Sequence, residues 1–494
     1  MTPLSHVFYR DLAAALGRND DATAWIAGNE RCTYRELQAA VTAIAAVLAD
    51  RRREAIVVLS DKSFSAYAAV FGVLLSGNVW VPLSPAQPAA RAIDILRMTG
   101  TRLVLADEPP APDLAEYCRA AGVTVVDLQM AAVSHSDEAL AVASINNDDV
   151  AYIMFTSGST GVPKGVPMTH ANYINFVHNA LELLPLRHGD VFSDYHDWGF
   201  DISIFYLFCA PLVGGALAPA MRPADRIMPL RYMQEAGITV WSSVPSSIAR
   251  IRQMLPDEAP DTLVRVMFLC GEPFSLKVLD YCLNHMTIPH VYNFYGLTET
   301  GVENFWHECR PSDLVDYEPF GFVPIGRPLP GNDIAVTADK ELLLAGCQIT
   351  PGYLGGIGTD RFEVRDGREW FHTGDVVEQH GDVWFCKGRI DHQVKLSGYR
   401  IELMDIEVNI KRLEPSVEEA VCFTVPRGDH HLLMAALLPR HGVMVDAEDI
   451  RRRLARVLPG YMMPARIVVC PDMPVNANGK IDRGRLRERH SGGS

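Results

Sequence analysis

Residues 156–165 read Thr-Ser-Gly-Ser-Thr-Gly-Val-Pro-Lys-Gly and concentrate more chemistry than any other stretch of the chain. Gly158, Gly161 and Gly165 permit close approach to the backbone. Thr156, Ser157, Ser159 and Thr160 supply hydroxyl donors, and Lys164 supplies positive charge. That composition suits a polyphosphate, whose oxygens accept from backbone N–H groups and hydroxyls alike. The kinase or ATPase phosphate loop requires Gly-Lys followed by Ser or Thr, whereas here Pro163 precedes Lys164 and Gly165 follows it. The dinucleotide fingerprint GxGxxG is not met either. A flexible surface loop is the plain alternative, and ten consecutive residues of this kind rarely mean that.

The elements around the loop must hold it still. A strand over 151–155 leads directly into it. Upstream, Thr33-Tyr34-Arg35-Glu36 is a capping box that opens a helix running to about residue 48. Runs at 56–59, 79–83, 103–106 and 123–128 read as strands, with a helix from Phe64 to near Gly77 between the first two. Strands alternating with helices predict parallel sheets covered on both faces. From 320 to 385 the pattern changes to short strands broken by glycine and proline, as in a small barrel-like or antiparallel unit. After 389–391 a small α/β segment begins, with strands near Val421 and Leu433 and a helix over 449–458. The tail 490–494 reads as a disordered end.

At ~150 residues per domain, 494 residues predict about three structural units. Hydrophobic residues at 48% and charged residues at 21% exclude whole-chain disorder. Lys plus Arg number 45 against 60 Asp plus Glu, a net charge of −15 without a long basic run, which argues against nucleic-acid binding. Ten scattered cysteines with no CxxC pair point to a reduced, cytoplasmic interior. The N-terminus has no signal-peptide pattern. The most apolar stretch, 205–221, is interrupted by Pro211, Gly214, Gly215 and Pro219, so it reads as buried core and no membrane partner is expected.

Further motifs occur in order along nearly the whole chain. Asn293-Phe294-Tyr295-Gly296-Leu297-Thr298-Glu299 is similar to an NxYGPTE signature, with Leu297 in place of proline. His372-Thr373-Gly374-Asp375, the run from Gly388-Arg389-Ile390-Asp391 to Glu402, Leu458 to Pro464, and Asn478-Gly479-Lys480-Ile481-Asp482 follow. With the loop at 156–165, these resemble the adenylate-forming enzyme superfamily: acyl-CoA ligases, luciferases and peptide-synthetase adenylation domains. The resemblance implies a large N-terminal domain, 1–389, of two packed α/β sheets plus a small β-barrel. It also implies a small, mobile α+β C-terminal domain, 390–494.

The resemblance also assigns roles. Thr156, Ser157, Gly158, Ser159, Thr160, Gly161 and Lys164 would cradle the phosphates of ATP. Tyr295 would stack on adenine, Asn293 would bond its amino edge, and Asp375 assisted by Arg389 would bind the ribose hydroxyls. Thr298 would contact the α-phosphate and Glu299 would hold Mg²⁺. Lys480 would be the catalytic cation, Asp391 the hinge between half-reactions, and Lys395 a residue of the thiolation conformation.

Substrate class turns on Asp201, which in amino-acid-activating relatives pairs with the substrate ammonium; its plain alternative is a cap for the helix starting near Ile202. The pocket positions carried across are Asp201, Ile202, Phe205, Ser243, Phe268, Cys270, Phe294, Val302, Glu303 and Lys480. Three phenylalanines argue against a bulky aromatic substrate. Glu303 either faces the cavity, asking for a donor on the substrate, or lies in solvent through a one-residue misalignment. The runs 268–272 and 393–400 are most similar to D-alanine–carrier protein ligases and related freestanding ligases, which favours alanine, serine, glycine or a diamino acid. The resemblance implies transfer of the aminoacyl group in trans to a phosphopantetheinylated carrier protein, as in nonribosomal peptide and antibiotic biosynthesis. An acyl-CoA ligase and a non-catalytic adenylate-binding regulator are the alternatives.

Overall fold

The computed structural model describes residues 4–18, 21–133, 142–158, 161–256, 258–391, 393–396, 398–427, 430–440, 443–474 and 481–491. They form two compact units, the first comprising 1–85, 98–154 and 165–390, the second 86–97, 155–164 and 391–494.

Two sheets organise the first unit. One has six strands in the order Thr124–Asp127, Leu103–Ala106, Ala55–Leu59, Val79–Leu83, Val150–Thr156 and Lys164–Thr169. Its first five strands run parallel. The other has nine strands: Arg327–Pro328, Phe305–Cys309, His290–Tyr295, Val266–Leu269, Val240–Ser243, Val191–Asp194, Ala216–Pro219, Thr23–Ala27 and Glu30–Thr33. Its centre is parallel and its margins antiparallel. The largest hydrophobic core takes Ile56, Val58 and Trp80 from the first sheet and Phe192, Val266, Phe268 and Phe294 from the second. The helices Tyr34–Val47, Phe64–Leu75, His170–Leu183 and Ser203–Val213 add to that same core. Strands 332–336, 341–346, 362–365, 368–380 and 383–389 make a five-stranded antiparallel sheet where a small barrel-like or antiparallel unit of short strands was expected.

Local chemistry explains the helix starts. Thr33 accepts from the Glu36 N–H while Glu36 accepts from the Thr33 N–H at 2.6 Å, the reciprocal capping box. Ser63 caps Phe64–Leu75 more simply, its hydroxyl accepting from the Ala66 N–H at 3.0 Å. The apolar run 205–221 is the helix Ser203–Val213, closed by left-handed Gly214, and the strand Ala216–Pro219, buried for most of its length with Met221 exposed at its end. Among the described residues no helix is long and apolar enough to cross a membrane.

In the second unit a hairpin, Gln393–Leu396 with Tyr399–Glu402, precedes the helix Leu403–Leu413. Strands Val417–Arg427, His430–Pro439 and Arg466–Val469 form its sheet. The helix expected over 449–458 runs Ala447–Leu454, because Asp446 is its cap, accepting from the Glu448 and Asp449 N–H groups. The expected disordered tail is corrected at its start: His490 and Ser491 end the helix Arg483–Ser491, anchored by fully buried Leu486.

Candidate active site

The strand His290–Tyr295 alternates its faces. Asn293 and Tyr295 point one way and Phe294 the other, into the main core. Asn293 is buried and donates through Nδ2 to the Pro324 carbonyl at 2.8 Å. Its Oδ1 is buried and receives no donor among the described residues, which leaves an acceptor suited to an exocyclic amine. The Tyr295 hydroxyl donates to Asp375 Oδ2 at 2.6 Å, and burial with the nearby Asp375 charge pushes that phenol well above its ordinary range. Arg389 reaches Asp375 Oδ1 at 2.8 Å and the Thr373 carbonyl at 3.0 Å. Asp375 and Arg389 are register partners on neighbouring antiparallel strands, so the sheet itself sets this ion pair.

Glu299 lies in the short 3-10 turn Thr298–Thr300 and is buried. Its Oε1 accepts from the Tyr353 hydroxyl at 2.7 Å and its carbonyl from the Thr350 N–H at 2.9 Å. Sequence reasoning did not single out Tyr353, because an extended tyrosine between Gly352 and the short 3-10 helix Leu354–Gly356 has no local signature of this contact. A buried carboxylate with one oxygen steadied by a phenol fits the needs of a hard divalent cation that takes one or two carboxylates plus phosphate oxygens.

The pocket residues are gathered in part. Ile202, Phe205, Phe268, Cys270, Phe294 and Val302 all belong to one buried cluster. Phe268 is sandwiched, its ring 4.5 Å from Phe205 and 4.1 Å from Phe294 by centroid, with interplanar angles of 14° and 17°. Ser243 is a correction. It sits on the opposite face of its strand, where the Trp241 Nε1–H donates to its Oγ at 2.7 Å. Ser242 is the register partner of Phe268, and a one-residue offset reverses the face. Asp201 stands two residues before the helix Ser203–Val213, and its carbonyl accepts from the Ile204 N–H at 2.9 Å. Asp201 is partly buried, and its charge, after burial, helps raise the Tyr152 phenol. Glu303 is 4% exposed, so the solvent-facing alternative does not hold.

In the second unit, Ser157 Oγ donates to the Arg400 carbonyl at 3.1 Å and accepts from the Glu402 N–H at 3.0 Å. Gly158 leaves no room for a side chain: a Cβ there would stand 2.1 Å from the Val162 carbonyl oxygen. Gly161 has φ +78°, and Lys164 opens the strand Lys164–Thr169. Thr156 ends the strand before the loop. Asp391 Oδ1 accepts from the Gln393 N–H at 3.2 Å, and Lys395 pairs in register with Arg400 on the hairpin. Ser159, Thr160 and Lys480 lie outside the described residues.

Comparison with known proteins places these residues in context. The family model described as AMP-binding enzyme matches residues 12–354, and that of the AMP-binding enzyme C-terminal domain matches 406–480. The chain is 32% identical to an L-proline–[L-prolyl-carrier protein] ligase of Streptomyces coelicolor, over 93% of this chain and 92% of that one. It is 28% identical to a D-alanine–D-alanyl carrier protein ligase of Bacillus velezensis, over 89% and 90%. A longer relative, phenyloxazoline synthase MbtB of Mycobacterium sp., is 32% identical over 94% of this chain, which spans 40% of that protein's length. The fold matches the Vibrio cholerae adenylation domain AlmE, solved with glycyl-adenosine-5'-phosphate, at a TM-score of 0.82 and 23% identity over 99% and 98% of the two chains.

Proposed function

The chain belongs to the AMP-binding enzyme family, and from that premise we propose that it activates a small amino acid as aminoacyl-AMP and passes it to the phosphopantetheine thiol of a separate carrier protein. In the first step a substrate carboxylate oxygen attacks the α-phosphorus of ATP, and the bond to pyrophosphate breaks. In the second, the thiol sulfur attacks the acyl carbon, AMP leaves and the thiol proton passes to solvent.

Each residue has a place in that scheme. Asn293 Oδ1 accepts from the adenine amino group, and Tyr295 contributes its ring while its hydroxyl fixes Asp375. Asp375, held by Arg389, accepts from the ribose hydroxyls. Thr298 contacts the α-phosphate and Glu299 holds Mg²⁺, which when bound neutralises phosphate charge. The phosphate loop, Lys164 and Lys480 supply further donors and positive charge for the charge that develops at phosphorus. Asp201 pairs with the substrate ammonium. Asp391 is the hinge at the start of the 390–494 domain, and Lys395 serves the transfer step.

The observation that carries this reading is the strand His290–Tyr295. One face offers an open acceptor and a hydroxyl fixed on a buried carboxylate; the other offers Phe294, third ring of the stack that limits side-chain size. That stack supports glycine, alanine, serine and small diamino acids over larger ones. Trapping with hydroxylamine tests it: ATP-dependent hydroxamate should form with glycine or alanine and not with acetate or propionate. Hydroxamate from the plain acids alone, with coenzyme A as acceptor, would establish an acyl-CoA ligase instead.

A further inference from the structure

The loop that carries Val302 and Glu303 does not hold its shape unaided. Gly301 and Val302 both have positive φ, 73° and 76°. For a β-branched residue the left-handed region is a genuine outlier, kept only where the surroundings impose it. Gly296 packs beneath, where a Cβ would stand 2.1 Å from the Val302 carbonyl oxygen.

Gln348 supplies the constraint. It is fully buried, and its Nε2 donates to the carbonyls of Gly301 and Glu303, each at 2.8 Å, and to that of Thr300 at 3.3 Å. Its Oε1 accepts from Asn175 Nδ2 at 2.7 Å and Asn332 Nδ2 at 2.8 Å. Donors on one side and carbonyls on the other define the amide's orientation. Asn304 reinforces the loop, donating to the Thr300 carbonyl at 2.7 Å and to Asn332 Oδ1 at 2.9 Å. Tyr353, on the same segment as Gln348, reaches Glu299 from the other side.

We propose that Gln348 is a positioning residue for the amino-acid pocket, fixing Val302 and Glu303 through the carbonyls around them, and that Tyr353 on the same segment separately positions Glu299. The proposal rests on the amino-acid-activation reading above. It separates two effects that a general packing role would merge. Losing Gln348 misplaces the pocket wall, whereas losing the Tyr353 hydroxyl removes a hydrogen bond that steadies the carboxylate assigned to the metal.

The test is pyrophosphate exchange with the full chain, titrating amino acid, ATP and Mg²⁺ in turn. Gln348→Met keeps the volume and removes the donors. It should raise the amino-acid KM by ~10-fold or more while the KM for ATP and the Mg²⁺ dependence stay near wild type. Tyr353→Phe should give the converse, a several-fold rise in the Mg²⁺ needed for half-maximal rate with the amino-acid KM unchanged. If Gln348→Met does not fold, Asn175→Ala, which removes one donor to Oε1, should show a smaller rise in the same KM. An unchanged amino-acid KM in Gln348→Met or, where that does not fold, in Asn175→Ala, or the same fall in kcat in Gln348→Met and Tyr353→Phe with no split, overturns the proposal. A wild-type chain with no amino-acid-dependent exchange would instead sink the activation reading beneath it.

Discussion

Phe268 is the residue on which packing and the proposed selection meet. Its ring lies between those of Phe205 and Phe294 and is fully buried, so Phe268→Ala opens a cavity and should cost about 3–5 kcal/mol of stability. Urea unfolding reads that cost. The same change should let larger side chains into the pocket, seen as new hydroxamates from leucine or phenylalanine. At Asp201, Asn removes the partner of a desolvated ammonium, so Asp201→Asn should lower kcat/KM for the amino acid by ~10²-fold, about 3 kcal/mol. Single residues were also where sequence reasoning stopped. The adjacency of Phe205, Phe268 and Phe294 was legible because the resemblance carries their positions across together. Ser243 was placed one residue off, since nothing local announces which face of Val240–Ser243 looks inward. Gln348 and Tyr353 went unseen because their partners lie about 45 to 55 residues away in sequence, at Gly301, Glu303 and Glu299.

Elements were read best where a short-range signal exists. The reciprocal bonds of Thr33 and Glu36 form within four residues, so the helix Tyr34–Val47 could be anticipated from composition alone. Thr33→Ala should cost about 1 kcal/mol of stability and leave pyrophosphate exchange unchanged, because this helix end carries no residue assigned to the chemistry. Strand pairing was less legible. The long strand Arg368–His380 had been read as short pieces, yet its pairing with Val383–Arg389 is what sets Asp375 opposite Arg389. Asp375→Asn keeps the shape but weakens that ion pair and its acceptor strength. It should raise the KM for ATP by ~10-fold or more with the amino-acid KM little changed. Equal effects on both KM values would show that Asp375 serves the fold rather than the nucleotide.

At the scale of the whole molecule, buried histidines tie stability to pH. Burial holds His170 down to about 4 and His196, which also feels Lys62 and Arg226, down to about 3, against an ordinary 6.5. The unfolded chain takes up those protons first. Their contribution is therefore complete above pH 6.5 and is lost as pH falls toward the folded values, at about 1.4 kcal/mol per unit for each histidine. Asp405 works in the opposite sense: burial pushes it up to about 6 from 3.8, so its folded form gains protons first in that window. Burial raises Asp61, Asp107 and Asp194 in the same sense as Asp405 and holds His178 down with the other histidines, so a drop in the urea midpoint between pH 6 and 4 reads the histidine contribution in excess of the carboxyls. Asp405→Asn should steepen that drop. The α/β class was legible at this scale because alternating strands and helices leave few other arrangements, while the division into two packed sheets came with the family resemblance. The central claim is that Asp201 selects an amino acid for activation at Lys480. Amino-acid-dependent exchange of labelled pyrophosphate into ATP tests it most directly, across small, large, D- and diamino acids and plain carboxylic acids, with wild type, Asp201→Asn and Lys480→Ala. The account predicts exchange with a small amino acid, none with its deaminated analogue, and near-complete loss in both variants; exchange supported by plain carboxylic acids, or undiminished in Asp201→Asn, would contradict it.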